Sequence, residues 1–301
     1  NFNTVNVTDM NSMFAGCSAL SKLYLSKFNT SKVKDMGSMF FECSSLKELN
    51  LKSFDTSNVV DMSNMFCGCK GLTELDFSKF SYFNTSKVAD MNNMFKGCSS
   101  LKNLNAKSLN TSATKDVSNM FNGCSALASL DVSWLNLSST KTISGLFNSC
   151  KSLKKLDLSL VDTSNITDMS KLFYKCSGLT SINLSGKFTT KNTTKMGWMF
   201  YECSGLTSLN LGNFETSKVV DMNNLFYCCS GLSSLDVSKF DTSNVNDTNS
   251  MFSACSGLTE LNVSNFNTSK VNDMGDMFNA CSKLTELNLS TFDTSAVEDM
   301  Y

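Results

Sequence analysis

Apolar and polar positions alternate along this chain in one phrase that keeps returning. Its clearest copy runs Asp35-Met-Gly-Ser-Met-Phe-Phe-Glu-Cys-Ser-Ser-Leu-Lys-Glu-Leu-Asn-Leu51. The doublet Met39-Phe40 marks the beat, and it returns at Met13-Phe14, Met65-Phe66, Met94-Phe95, Met120-Phe121, Leu146-Phe147, Leu172-Phe173, Met199-Phe200, Leu225-Phe226, Met251-Phe252 and Met277-Phe278, mostly 26 residues apart. Eleven copies in tandem are a solenoid, whose length counts stacked repeats rather than separate cores. We therefore expect residues 1–301 to form a single solenoid, and the incomplete repeats at both ends suggest a segment of a longer chain.

Within one repeat the pattern predicts two elements. Met36, Met39, Phe40 and Cys43 have the i, i+3, i+4, i+7 spacing of an apolar helical face, with Asp35 placed to cap the first turn. Leu46-x-x-Leu49-x-Leu51 alternates like a short half-buried strand and matches the leucine-rich-repeat signature. Phe54 then turns inward at a corner where Asp55, Thr56 and Ser57 supply turn hydrogen bonds. The expected fold is α/β: a leucine-rich-repeat solenoid of 26-residue repeats, with a parallel concave sheet and short convex helices. Three extra residues near Tyr82 and one near Gly186 fall at corners, and Thr142 and Lys195 replace the capping aspartate in two middle repeats.

The phrase Phe-Asp-Thr-Ser-Asn-Val-x-Asp-Met-x-x-Met-Phe-x-x-Cys-Ser-x-Leu-x-x-Leu-x-Leu-Ser, read from residues 54–78 and 240–264, resembles the BspA-like leucine-rich repeat, in its mycoplasma-type surface lipoprotein variety. The resemblance covers essentially the whole chain. It implies an extracellular or cell-surface protein used for adhesion, with no catalytic residue to carry over.

Composition narrows the partners. The net charge is -1, and the chain has no His, Pro, Arg or Gln. Without arginine the bidentate contacts that dominate base and phosphate recognition cannot form, and no basic patch replaces them, so nucleic acid is excluded. No apolar run reaches the 18 or so residues of a membrane span. No nucleophile and base pair, phosphate loop or metal motif stands out from the repeat background, so we expect no enzyme activity, cofactor or metal.

Three columns remain as candidate chemistry. Cys17, Cys43, Cys69, Cys98, Cys124, Cys150, Cys176, Cys203, Cys229, Cys255 and Cys281 align on the apolar face, where free thiols pack as small hydrophobes, although adjacent coils also leave a disulfide ladder open. The outward strand position holds Tyr24, Asn50, Asp76, Asn105, Asp131, Asp157, Asn183, Asn210, Asp236, Asn262 and Asn288, the candidate binding face. Such side chains either hydrogen-bond from repeat to repeat or meet a ligand on the concave surface. Among the Asn-x-Ser/Thr sites, Asn29, Asn84, Asn110 and Asn267 are candidates for glycosylation at exposed corners. The threonine column at the same corners is a single row, too narrow for a flat ice-binding array. The partner expected from these features is a host or neighbouring-cell surface protein or glycan. The competing expectation is a structural subunit of an extracellular filament, stalk or sheath, associating end to end.

Overall fold

The computed structural model describes residues 3–301, so the first two residues of the expected span lie outside the described part. Successive repeats stack in parallel. One residue per coil, the column from Asp9 through Asp35, Asp61 and onward to Asp299, forms a bridge to its counterpart in the next coil. On the leucine side the short strands β1 (Glu74–Asp76) and β2 (Asn103–Asn105) pair in parallel, as do β3 (Lys155–Asp157) and β4 (Ser181–Asn183). The leucine-rich-repeat solenoid therefore stands.

The convex helices do not. Among the described residues no α-helix is present, and the one helical element is a single 3-10 turn at Phe77–Lys79. The segment after Asp35 is a run of overlapping turns. Met39, Phe41 and Cys43 N–H groups donate back three residues, to the carbonyls of Met36, Ser38 and Phe40. The intervening N–H groups of Met36, Ser38, Phe40 and Glu42 donate across to Asp61, Ser63, Met65 and Cys67 in the next coil, at 2.7–3.0 Å. Every backbone donor is used, half locally and half between coils. A two-turn helix would leave its first N–H and last C=O groups without partners and is marginal alone, whereas the stacked turns satisfy both ends with identical neighbours.

The alternation needs two left-handed residues per turn segment, such as Ser38 and Glu42 at φ of 55° and 54°. The second of these columns holds Gly16, Gly68, Gly97 and Gly123 at φ of 71–77°, where glycine carries no Cβ penalty. Later coils put Ala254 and Ala280 in the same place, at φ of 57° and 55°. Left-handed backbone costs a non-glycine residue about 1 kcal/mol or more. Ala254→Gly and Ala280→Gly should each raise stability by about 1 kcal/mol in urea denaturation, after the added freedom of glycine in the unfolded chain is offset. Ala89→Gly, outside those columns, should lower it.

The core is a set of ladders. Phenylalanine rings stack without a break from Phe14 through Phe40, Phe66, Phe95, Phe121, Phe147, Phe173, Phe200, Phe226 and Phe252 to Phe278, with centroids 5.4–5.9 Å apart. Beside them the cysteines are free thiols. Each Sγ from Cys43 to Cys281 donates to the carbonyl of the phenylalanine one coil before, as Cys150 does to Phe121 at 3.2 Å. Burial pushes these thiols up, to about 12 at Cys124, Cys176 and Cys255, so the thiolate needed for nucleophilic or metal chemistry is suppressed. Cys17 is exposed, Cys228 and Cys281 are half-buried, and Cys67, outside the ladder, is buried.

The corner threonines are buried as well. Thr111 Oγ1 donates to the Asn136 carbonyl at 2.9 Å and accepts the Asn136 N–H at 2.8 Å, standing in for one residue of a backbone ladder. The same exchange recurs from Thr4 to Asn29, Thr56 to Asn84, Thr85 to Asn110 and Thr242 to Asn267. Hydroxyls committed this way are not offered to solvent.

Candidate functional site

The row at the strand ends, expected to face the concave side, is built by a local rule. Each strand ends on Asn or Asp, and that side chain's Oδ1 accepts the N–H two residues on, closing an Asx turn that carries the chain off the sheet. The bonds run from Lys52 to Asn50, Ser133 to Asp131, Ser159 to Asp157, Gly212 to Asn210, Ser238 to Asp236, Ser264 to Asn262 and Ser290 to Asn288, at 2.8–3.1 Å. Asp76, Asn105 and Asn183 do the same. The expectation of amides and carboxylates bonded mainly from coil to coil needs correcting, because Oδ1 satisfies its own turn first. Bonds from the row to another coil are few among the described residues: Asn105 Nδ2 donates to Ser78 Oγ at 3.4 Å, Lys107 Nζ to Asp131 Oδ2 at 2.8 Å, and Asn183 to the Asp157 carboxylate. Asp76 and Asn105 are half-buried, while the other members, Tyr24 included, are exposed.

Shallow grooves follow this row. One, about 780 Å³, is lined by Leu130, Asp131, Lys155, Leu156, Asp157, Ser181, Ile182, Asn183, Ser185 and Asn210, among others. Two more lie beside Tyr24 and Asn50 and between Asp236 and Asn288. Beside the central groove, at its Asp131 wall, Lys107 Nζ sits 2.8 Å from Asp131 Oδ2. The Lys107 ammonium, followed by the Ser133 hydroxyl and N–H, holds the Asp131 carboxyl at about 2, well below the usual carboxylate range. A carboxyl depressed in the folded chain adds stability above the unfolded value of about 3.9 and loses it as pH falls through the folded value. In a carboxyl NMR titration Asp131 should therefore stay ionised to about pH 2, and Lys107→Ala should move its midpoint up toward the ordinary range. Lys155, at the centre of the groove, has no ion-pair partner among the described residues.

The other candidate residues are placed as follows. Asn29, Asn84, Asn110 and Asn267 are exposed at the threonine corner, and their Oδ1 atoms accept the N–H of the serine two residues on. The aspartates expected to cap helices close Asx turns instead, Asp35 to the Gly37 N–H at 2.8 Å, and Thr142 substitutes with its hydroxyl toward Ser144 at 3.1 Å. Burial pushes Asp90 and Asp221 above the usual carboxylate range, with neighbouring aspartates of the column adding to it. Tyr82 projects 67% exposed from the inserted corner, anchored by buried Phe80 and Phe83 packed on Phe77. Among the described residues no group of three or more Cys, Asp or Glu is placed to hold a metal, and no helix is long and apolar enough to cross a membrane.

One feature was missed in the sequence. Tyr174, Tyr201 and Tyr227 stack on the turn face at 4.6 and 4.5 Å, with Lys175 lying over the first two and 3.5 Å from Glu202. Burial, then the Glu202 carboxylate, pushes the Tyr201 hydroxyl up to about 12. Their spacings of 27 and 26 residues carried the signal, which appears only when outward positions are aligned coil by coil.

Comparison with known proteins gives the same repeat. A family model described as "Mycoplasma protein of unknown function, DUF285" matches residues 1–102, 70–180, 141–256 and 229–301, which together span the chain. The chain belongs to this family. The BspA-like, mycoplasma-type resemblance read from the repeat phrase is thereby upheld. No curated protein matches a DUF285 chain of this sequence. Among solved structures it is similar to a leucine-rich repeat protein from Bacteroides ovatus, at 19% identity and a TM-score of 0.44, covering 98% of this chain and 78% of that one. A leucine-rich repeat protein of T. pallidum is 19% identical with a TM-score of 0.37, over 69% of this chain and 75% of that one. A leucine-rich cell surface protein from Faecalibacterium prausnitzii is 13% identical with a TM-score of 0.33, over 80% and 82%.

Proposed function

We propose that this DUF285 chain is a non-enzymatic repeat protein of the cell surface or extracellular space that holds a protein or glycan partner on its concave face. One observation carries the reading. The row is a long, largely exposed column of polar side chains, and it lines the grooves, whereas the threonine and cysteine columns are mostly buried and bonded between coils. Solenoids bind along such concave surfaces because each coil adds one more contact to an extended partner. The aspartates and sulfurs that first suggest chemistry are consumed by turns and by the core.

The test is binding of the fluorescently labelled chain to intact bacterial and animal cells. Asp157→Lys with Asn210→Lys should weaken binding at least tenfold, whereas Lys270→Glu on an outer corner should leave it unchanged. Retained binding in the first variant with loss in the second would overturn the concave-face assignment. Circular dichroism identical to that of the parent shows that each variant is folded.

A further inference from the structure

We infer that the concave row is a site for an uncharged linear polysaccharide lying along the solenoid axis, one sugar residue to a coil. The inference rests on the concave-face reading above and names its ligand class.

The first argument is the hydrogen-bonding state of the row. The Asx turns commit one oxygen of each side chain and fix its orientation, which removes part of the ordering cost of binding. At Asp76, Asn105 and Asp131 the second atom meets a neighbouring side chain, Asp157 and Asn183 meet each other, and elsewhere along the row it is left over. Asn50, Asn210 and Asn262 keep an Nδ2 donor, and Asp236 an Oδ2 acceptor, with no partner among the described residues. Donors and acceptors are thus interspersed along one line. A sugar hydroxyl donates and accepts at the same time and can satisfy either kind.

The second argument is what the face lacks. Protein partners are held by a few buried anchors, typically Trp, Tyr or Arg, surrounded by a drier rim. This chain has no arginine, and the large exposed aromatic side chain on the row itself is Tyr24, 85% exposed beside Asn50. An aromatic ring next to a planar amide suits the apolar face and hydroxyl edge of a pyranose.

Charge and spacing agree. Around the central groove the flanking strand column carries Ser129, Lys155 and Ser181, the single Lys155 ammonium sharing the groove with the Asp131 and Asp157 carboxylates, and its outer coils carry Glu48 and Glu260. An anionic polymer would meet those glutamates. Parallel strands repeat every 4.8 Å or so, close to the length of one pyranose residue in an extended chain, so a β-linked polymer keeps register over several coils.

The experiment is calorimetry and immobilised-ligand binding with neutral β-1,4-glucan, β-1,4-mannan and β-1,3-glucan oligomers from disaccharide to hexasaccharide. At least one series should bind, with affinity rising at least tenfold from dimer to hexamer. Asn210→Asp with Asn262→Asp keeps both turn acceptors but converts the free donors to acceptors, and should weaken that binding at least tenfold. Saccharide binding untouched by this variant would overturn the assignment to the row. Binding to none of the series would overturn the ligand class. In that event, binding to cells that survives periodate oxidation but not protease, and is lost in Asp157→Lys with Asn210→Lys, would show a concave face made for protein. Cell binding indifferent to those row substitutions would remove both readings together.

Discussion

Phe147→Ala is expected to lower stability by about 3 to 5 kcal/mol, among the largest effects of any single truncation in this chain. The ring is fully buried between Phe121 and Phe173, with centroids 5.8 and 5.9 Å away and planes within 6° of parallel. Removing it deletes two stacking contacts of about 0.5 to 1.5 kcal/mol each and leaves a cavity that the fixed backbone ladder cannot close. Position matters because a repeat array is held together by interfaces between neighbouring coils, and coil six has a full neighbour on each side. Phe292→Ala, at a half-buried ring in the last coil, should cost far less. Urea denaturation followed by the fluorescence of Trp134 and Trp198, which lie on either side of Phe147 in the chain, gives both values. A loss below about 1 kcal/mol for Phe147→Ala would mean that the phenylalanine stack does not hold the coils together.

Thr111→Val should cost about 2 kcal/mol although it changes almost no volume. The hydroxyl both accepts from the Asn136 N–H and donates to the Asn136 carbonyl, and Thr111 is fully buried. Valine keeps the packing and strands two backbone groups of the adjacent corner, each costing on the order of 1 kcal/mol or more when left without a partner. Thr111→Ser retains the hydroxyl and should recover most of the loss. Valine as stable as the parent would show that water takes over both groups and that the threonine column is not a ladder.

Much of this architecture was readable from residue order because a repeat writes each column eleven times. The inward Met, Phe, Cys and Leu positions could be assigned from periodicity alone, and their ring and thiol ladders follow once equal residues are stacked at equal heights. The convex element was misread for a physical reason. Met36, Met39, Phe40 and Cys43 have the same spacing on a helical face and on a chain of overlapping turns, and the difference lies in which carbonyl each N–H meets. The deciding signal was the Gly, Ser and Asn content of two columns, at Gly68, Gly97, Ser38 and Asn64, residues that tolerate left-handed backbone and discourage a helix.

The candidate face was legible as a row of Asn and Asp, but not its internal bonding. A side chain that can bond across coils can also close its own turn, and the local bond wins because it costs less order to form. The tyrosine stack went unseen because its column also holds Lys96, Asn122 and Ser253, so no repeated letter announces it.

The claim on which the rest depends is that the repeated Asp-Met-Phe-Cys phrase builds a ladder of turns bonded from coil to coil. Far-ultraviolet circular dichroism of the purified chain tests it directly. The expected spectrum is that of strands and turns with no helical component. A pronounced helical double minimum, as one short helix in every repeat would produce, would contradict it.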